Sequence, residues 1–255
     1  MANRTLLGAA VVLVLVALVL RVTATAAEDS ITVYLIGDST MADRSDPETN
    51  PGRGWGQMLH AYFGEGVIVE NHSKSGRSSK SFRDEGLWDP ILKTMQAGDY
   101  VFIQFGHNDQ KDQDPKRFTN PNTGFRQNLA HYVMETREKG AHPGMMSSIV
   151  RRRFNDEGVL LDTHGVYPTI ARSVARDMDV PFVDMQLLTE ELVLTSGVEG
   201  SKALFVWVKP GEYAMYPKCS QDNSHLSMEG GRLVAGLAAA ELRRMGHPLA
   251  LHLKK

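Results

Sequence analysis

The sequence has one cysteine in 255 residues, Cys219, so it cannot form an intrachain disulfide. Its net charge is −2, and it therefore lacks the basic surplus that a nucleic-acid partner requires. Hydrophobic residues make up 42% of the chain and charged residues 23%, which is typical of a globular protein with a sizeable core. We predict no nucleic-acid partner.

Sequence motifs for metal binding are also missing. The chain has neither a His-Glu-x-x-His motif nor a cysteine cluster that would ligate a catalytic zinc. The acidic residues Asp109, Asp112 and Asp114 lack the spacing and the closing glutamate of a calcium loop. We therefore predict no metal and no cofactor. A Gly-x-Ser-x-Gly elbow is absent as well, which disfavours the α/β-hydrolase fold.

The one long apolar block is Leu6–Leu20, which has 15 residues and follows a basic residue. Small residues at Thr23–Ala27 suit cleavage by signal peptidase. We predict a signal peptide at 1–27 and a single domain at 28–255, in a secreted or periplasmic bacterial protein without disulfides. Cleavage would remove two arginines and no acid, and would change the net charge from −2 to −4. The alternative is an uncleaved membrane anchor, favoured by Arg21 directly after the block.

After this segment, short apolar strands alternate with amphipathic helices. The predicted strands are Ile31–Ile36, Val67–Val69, Tyr100–Phe105, Met145–Val150 and Val180–Met185. The predicted helices are Trp55–Phe63, Ser81–Gln96 in two pieces broken by Pro90, Phe125–Lys139, Val166–Asp179, Leu187–Thr195 and Met228–Met245. Trp207–Gln221 is predicted to be irregular. The alternation indicates an α/β fold whose parallel sheet is covered on both faces.

Ser39 directly follows the first predicted strand, in the stretch Gly37–Met41. The carboxyl ends of strands are where open α/β sheets bind their ligands. A serine there is a poor nucleophile unless a base takes its proton and donors stabilise the charge on the substrate oxygen. We therefore expect the rest of the chain to supply a base and such donors.

Candidates for both functions follow later elements. Asp222 and His225 precede the last helix, and their spacing of three predicts one helical turn on which the carboxylate fixes the imidazole tautomer. His225 is the predicted base for the nucleophile Ser39. The predicted oxyanion hole consists of the amides of Ser39 and Gly76 and the side chain of Asn108. Asp222 as a cap of the last helix is the alternative.

These residues form four blocks, Gly37-Asp38-Ser39, Gly76, Gly106-His107-Asn108-Asp109 and Asp222-x-x-His225. In order and spacing they resemble the motifs of the SGNH (GDSL-type) hydrolases, and within them the bacterial rhamnogalacturonan acetylesterases. The stretches that carry the closer similarity are Gly37–Met41, Asn71–Phe82, Phe105–Gln110, Arg151–Phe154 and Asp222–Ser227. The resemblance implies a three-layer, flavodoxin-like α/β fold with five parallel strands. It also implies metal-free removal of O-acetyl groups from the galacturonate of pectic rhamnogalacturonan, so that the partner is an acetylated plant cell-wall polysaccharide.

Galacturonate is anionic, and a guanidinium binds a carboxylate bidentately. The predicted substrate contacts are Arg77, His107, Arg151, Arg152 and Arg153. The alternative for the arginines is that they face water or acidic neighbours. Trp55 and Trp207 are candidates to stack on sugar rings, with a place in the core as the alternative.

Three other functions are compatible with the same residues. A lipase or thioesterase of the same superfamily is the nearest, although the predicted site loops have few apolar residues to line an acyl tunnel. A glycan O-acetyltransferase held by Leu6–Leu20 as an anchor is the second. A non-catalytic carbohydrate-binding module is the third, and the complete set of triad residues argues against it.

Overall fold

A sheet of five parallel strands crosses the centre of the molecule. The strands are β1 (Ile31–Gly37), β2 (Val67–Asn71), β3 (Tyr100–Gln104), β4 (His142–Met146) and β5 (Phe182–Val183). Their order is β2-β1-β3-β4-β5, the flavodoxin-like arrangement, which confirms the predicted fold class. The computed structural model describes residues 30–255, so the predicted signal peptide and its alternative as an anchor lie outside the described residues.

Helices cover both faces of this sheet. Within residues 30–255 they are α1 (Trp55–Leu59), α2 (Ser79–Asp84), α3 (Asp89–Thr94), α4 (Arg126–Glu138), α5 (Tyr167–Asp177), α6 (Met185–Gly200) and α7 (Met228–Arg244). Alternate residues of β1 enter two separate cores, as the two-residue period of a strand requires. Val33 and Leu35 pack with α1, α6 and α7, while Tyr34 and Ile36 pack with α2 to α5. In this part of the chain no helix has both the length and the hydrophobicity to cross a membrane.

The helix boundaries differ from the prediction, most clearly in two regions. Residues 81–96 do form two helices, but the break comes before Pro90, which lies in the first turn of α3. Proline is tolerated there because the N–H of a first-turn residue has no partner within the helix. The helix predicted at Leu187–Thr195 runs on to Gly200 across a kink at Gly197, whose φ is 69°.

The fourth strand begins at His142, three residues before the predicted start. Pro143 and Gly144 obscure it in the sequence, because both residue types are rare inside strands. Gly144 pairs with Phe102 of β3, and a Cβ there would come within 2.5 Å of the phenyl ring. Residues 147–150, predicted as the last four residues of this strand, instead form a loop beyond the edge of the sheet.

The prediction for Trp207–Gln221 as an irregular segment is wrong at both ends. Phe205–Val208 (β6) and Ser220–Leu226 (β7) form an antiparallel ribbon. Phe205 pairs with Leu226 and Trp207 with Gln221, so that residues 222–225 stand opposite Val206 alone. They form a bulge in the ribbon, and this bulge, not the predicted helical turn, carries Asp222 and His225.

Candidate active site

Three of the predicted site residues lie in loops at the carboxyl ends of adjacent strands. Ser39 follows β1, Gly76 follows β2 and Asn108 follows β3, and the strand order places β1 between the other two. A hydrogen bond of 3.0 Å from Lys74 N to Gly37 O joins the loop after β2 to the turn after β1. The topology therefore brings together side chains that are far apart in the sequence.

A buried network holds the turn that carries Ser39. Asp38 Oδ1 accepts hydrogen bonds of 2.9 Å from the backbone N–H and from the hydroxyl of Thr40. Thr40 Oγ1 in turn accepts one from Gln104 Nε2 at 2.9 Å, and Gln104 Oε1 accepts one from Trp55 Nε1 at 3.0 Å. Trp55 is fully buried, so it belongs to the core that supports the turn and not to a sugar-binding surface.

Asp222, His225 and Ser39 form a continuous chain of hydrogen bonds. His225 Nε2 lies 3.0 Å from Ser39 Oγ, and His225 Nδ1 lies 2.6 Å from Asp222 Oδ2. The other carboxylate oxygen, Oδ1, accepts from the backbone N–H groups of Ser224 at 2.7 Å and His225 at 2.9 Å. Burial raises the pKa of Asp222, but the hydrogen bonds and charge of His225, with the backbone donors, outweigh it and lower the pKa to about 2. The ionised carboxylate favours a proton on Nδ1, which leaves Nε2 able to accept the serine proton.

The bulge that carries this pair is fixed through Asn223. Arg152 Nη1 and Trp207 Nε1 each donate to Asn223 Oδ1 at 3.0 Å, and Arg152 N donates to Asn223 O at 2.8 Å. The guanidinium of Arg152 is buried and stacks over the Trp207 ring, 5.0 Å from its centroid. Sequence reasoning treated Arg152 and Trp207 as candidates for substrate binding and missed this contact, because a pairing across about seventy residues leaves no local pattern.

The predicted oxyanion donors have N–H groups available. The side chain of Asn108 is buried, and its amide donates one hydrogen bond of 2.9 Å to Arg77 O, while its second hydrogen has no acceptor among residues 30–255. Within residues 30–255, neither the N–H of Ser39 nor that of Gly76 donates to a protein acceptor. Gly76 has a φ of 80°, in the left-handed region that favours glycine.

Asp109 braces the loop that carries Asn108. Its Oδ1 accepts from Ser79 Oγ at 2.5 Å and from Thr119 Oγ1 at 2.8 Å. Burial raises the pKa of Asp109 to about 6, although these hydrogen bonds act against the rise. Within residues 30–255, no group of three or more His, Cys, Asp or Glu side chains is placed to hold a metal ion.

Of the remaining predicted substrate contacts, Arg77 and Arg151 have protein partners of their own. Arg77 forms an ion pair with Glu85, with its Nη2 2.7 Å from the carboxylate. His107 is only 4% exposed, and burial lowers its pKa well below the usual value. Arg151 donates to His107 O at 3.1 Å and to a second carbonyl oxygen, and Arg153 is exposed. Contact of these side chains with a substrate stays a prediction.

Comparison with known proteins identifies the family. Residues 35–233 match the model of the GDSL-like lipase/acylhydrolase family. The chain belongs to this family. It is also 44% identical to the rhamnogalacturonan acetylesterase RhgT of Bacillus subtilis (strain 168) over 223 residues, which cover 88% of this chain and 94% of that protein. The prediction of a GDSL-type carboxylic ester hydrolase is therefore confirmed.

Two solved structures share the fold of this GDSL-family chain. The crystal structure of YxiM from Bacillus subtilis has a TM-score of 0.73 at 25% identity, over 86% of this chain and 58% of that one. The present chain therefore spans less than two thirds of the length of YxiM. The acetylxylan esterase Axe2 of Geobacillus stearothermophilus has a TM-score of 0.59 at 20% identity, over 87% of this chain and 96% of that one, and shows the fold alone.

Proposed function

We propose that this protein is an exported esterase that removes O-acetyl groups from a pectic polysaccharide, rhamnogalacturonan, through an acyl-serine intermediate. The observation that carries the proposal is the hydrogen-bonded series Asp222–His225–Ser39 at the carboxyl end of β1. The substrate class is supported by the 44% identity to a rhamnogalacturonan acetylesterase over most of both chains. Export is supported by the apolar block Leu6–Leu20 and the small residues after it.

The first half of the reaction acetylates Ser39. Its Oγ attacks the acetyl carbonyl carbon while His225 Nε2 takes the hydroxyl proton. The negative charge that develops on the carbonyl oxygen is stabilised by the N–H groups of Ser39 and Gly76 and by Asn108 Nδ2. The tetrahedral intermediate then breaks its bond to the sugar oxygen, which leaves as an alcohol with the proton from His225.

The second half releases acetate. A water molecule takes the place of the sugar, and His225 Nε2 accepts one of its protons as the oxygen attacks the acetyl carbon. The same donors stabilise the second oxyanion. When the bond to Ser39 Oγ breaks, the serine oxygen recovers the proton from His225, and the enzyme returns to its starting state.

The exposure of the site suits a polymer better than a long acyl chain. The side chains of His225 and Asp222 are 37% and 27% exposed, so the reacting groups lie at an open surface. A lipase that binds a long acyl chain requires an apolar groove beside its nucleophile. The loops around Ser39 instead present hydroxyl, amide and charged side chains.

The experiment that tests this proposal measures acetate release by residues 28–255 from three substrates: acetylated rhamnogalacturonan, acetylated xylan and a neutral acetyl ester. We expect the highest kcat/KM on rhamnogalacturonan. A preference for xylan would rule out the pectic substrate and keep the esterase. Transfer of acetyl to a sugar acceptor in place of water would indicate a transferase, and a preference for longer acyl chains would indicate a lipase.

Replacing Asn108 by alanine should lower kcat by about 10²–10³-fold, the usual loss for one oxyanion donor. Initial rates at saturating concentrations of a neutral acetyl ester measure this loss of kcat without any contribution from binding of a polysaccharide. Asn122→Ala is the matched control, because its side chain is exposed and, within residues 30–255, no hydrogen bond joins it to Asn108 or to the residues that brace the Asn108 loop. A loss below tenfold in Asn108→Ala would show that this side chain does not stabilise the oxyanion.

A further inference from the structure

Arg44 lies beside the nucleophile, although its sequence context gave no reason to select it. Its Nη2 donates a hydrogen bond of 2.9 Å to Ser39 O. Its backbone is held at both ends by Gln57, which accepts from Arg44 N at 3.0 Å and donates to Arg44 O at 3.1 Å. The loop after β1 therefore positions this guanidinium at the site before any substrate binds.

The charge of Arg44 has no carboxylate partner. Among the described residues it forms no ion pair, and its Nε and Nη1 donate to no protein acceptor. Burial lowers the pKa of Arg44, while Tyr216 and Asp222 nearby act in the opposite direction. A half-buried guanidinium with unused donors is well suited to an anionic ligand, because part of its hydration has already been lost in folding.

Two of the predicted arginines, Arg77 and Arg151, differ in this respect. Arg77 already binds the carboxylate of Glu85. Both terminal nitrogens of Arg151 donate hydrogen bonds to backbone carbonyl oxygens, those of Thr163 and His107. Arg44 is thus the better-placed receptor for a negative charge on the substrate.

We propose that Arg44 binds the carboxylate of a uronic acid residue, in the sugar that carries the ester or in its neighbour, and so sets a preference for acidic polysaccharides. This inference rests on the proposed function, since rhamnogalacturonan contains galacturonate. Because Nη2 uses only one of its two hydrogens on Ser39 O, its second hydrogen and the neighbouring N–H of Nε or Nη1 can offer two parallel donors to the two carboxylate oxygens. The hydrogen bond from Nη2 to Ser39 O keeps the bound carboxylate close to the scissile ester.

The test compares Arg44→Gln with the wild type on acetylated rhamnogalacturonan and on the same polymer after chemical reduction of its carboxyl groups. The readout is the ratio of the two kcat/KM values, because Arg44 also contacts Ser39 and its loss lowers activity on every ester. We expect the ratio to fall on the order of 10- to 100-fold, mainly through KM, the range for a lost hydrogen bond to a charged group. Arg44→Lys should retain part of the preference, because it keeps the charge and loses the bidentate geometry.

Arg137→Gln is the matched control, since its guanidinium donates to Asp179 O near the opposite edge of the sheet. This variant should keep the wild-type ratio. If the wild type prefers the acidic polymer and Arg44→Gln keeps that preference, the role of Arg44 is refuted and the proposed function stands. If the wild type does not distinguish the two polymers, the galacturonate substrate is wrong, and the role of Arg44 is refuted with it.

Discussion

Replacing Ser39 by alanine should reduce kcat by about 10⁴-fold or more, and His225→Ala should cause a loss of similar size. In the proposed mechanism Ser39 Oγ forms the covalent bond, and His225 Nε2, 3.0 Å away, is the group that accepts its proton. Because the two act as one unit, the double variant should be no slower than either single variant by more than a few-fold. Initial rates on a neutral acetyl ester would measure all three losses.

Two controls separate this effect from a change in folding. Ser45→Ala removes a hydroxyl from an exposed serine six positions further along the chain and should keep full activity. Thermal unfolding of Ser39→Ala should match that of the wild type, because within residues 30–255 the hydroxyl has His225 as its only protein partner. Purified Ser39→Ala that still released acetate at the wild-type rate would disprove the acyl-serine mechanism. Mass spectrometry after rapid acid quench should find a single acetyl group on Ser39 of the wild type.

The residues of the proposed site could be selected from the sequence because each lies next to an element with a clear local pattern. The apolar run before Gly37 is a buried strand, and a buried parallel strand places the next residues at the ligand-binding edge of the sheet. The same reasoning located Gly76 and Asn108 after β2 and β3. Local hydrophobic patterns thus predicted where three residues of the proposed site lie relative to the sheet, without any knowledge of long-range contacts.

The support for Asp222 and His225 could not be predicted in the same way. The segment Ser220–Leu226 contains six polar residues before its first apolar one, so it lacks the alternation that indicates a strand. It becomes a strand only because it pairs with β6 and because Arg152 and Trp207 hold Asn223. A bulge in a ribbon therefore brings Asp222 and His225 together. The helical turn inferred from their spacing of three is wrong.

Arg44 illustrates a second limit of sequence reasoning. It lies in a polar loop, where an arginine is usually solvated, and its neighbours give no sign that it turns towards Ser39. What distinguishes it from the predicted arginines is the set of partners of each guanidinium, and this is known only once the chain is folded. For binding an anionic substrate, an arginine without a carboxylate partner is thus a better candidate than an arginine that only lies near the site.

Asp222→Asn should lower kcat/KM by about 10⁴-fold, although the two side chains have nearly the same shape. Backbone N–H groups of Ser224 and His225 donate to Oδ1, so the new amide must place its oxygen there and its NH₂ group at the position of Oδ2. That NH₂ would face His225 Nδ1, which lies 2.6 Å from Oδ2 in the wild type, and could only donate to it. The imidazole would then carry its proton on Nε2 and could not accept the proton of Ser39.

Asp222→Ala separates this tautomer effect from simple loss of the carboxylate. It removes the partner of Nδ1 without imposing the wrong tautomer, so we expect it to be no less active than Asp222→Asn. Equal activity of Asp222→Asn and the wild type on a neutral acetyl ester would show that Asp222 does not orient His225.

The activities of these variants should be compared near neutral pH. The pKa of about 2 means that Asp222 stabilises the fold above its unfolded pKa near 3.8, and that this stabilisation is lost as the pH falls through about 2. At neutral pH a loss of activity in a variant that still unfolds cooperatively reports on the orientation of His225.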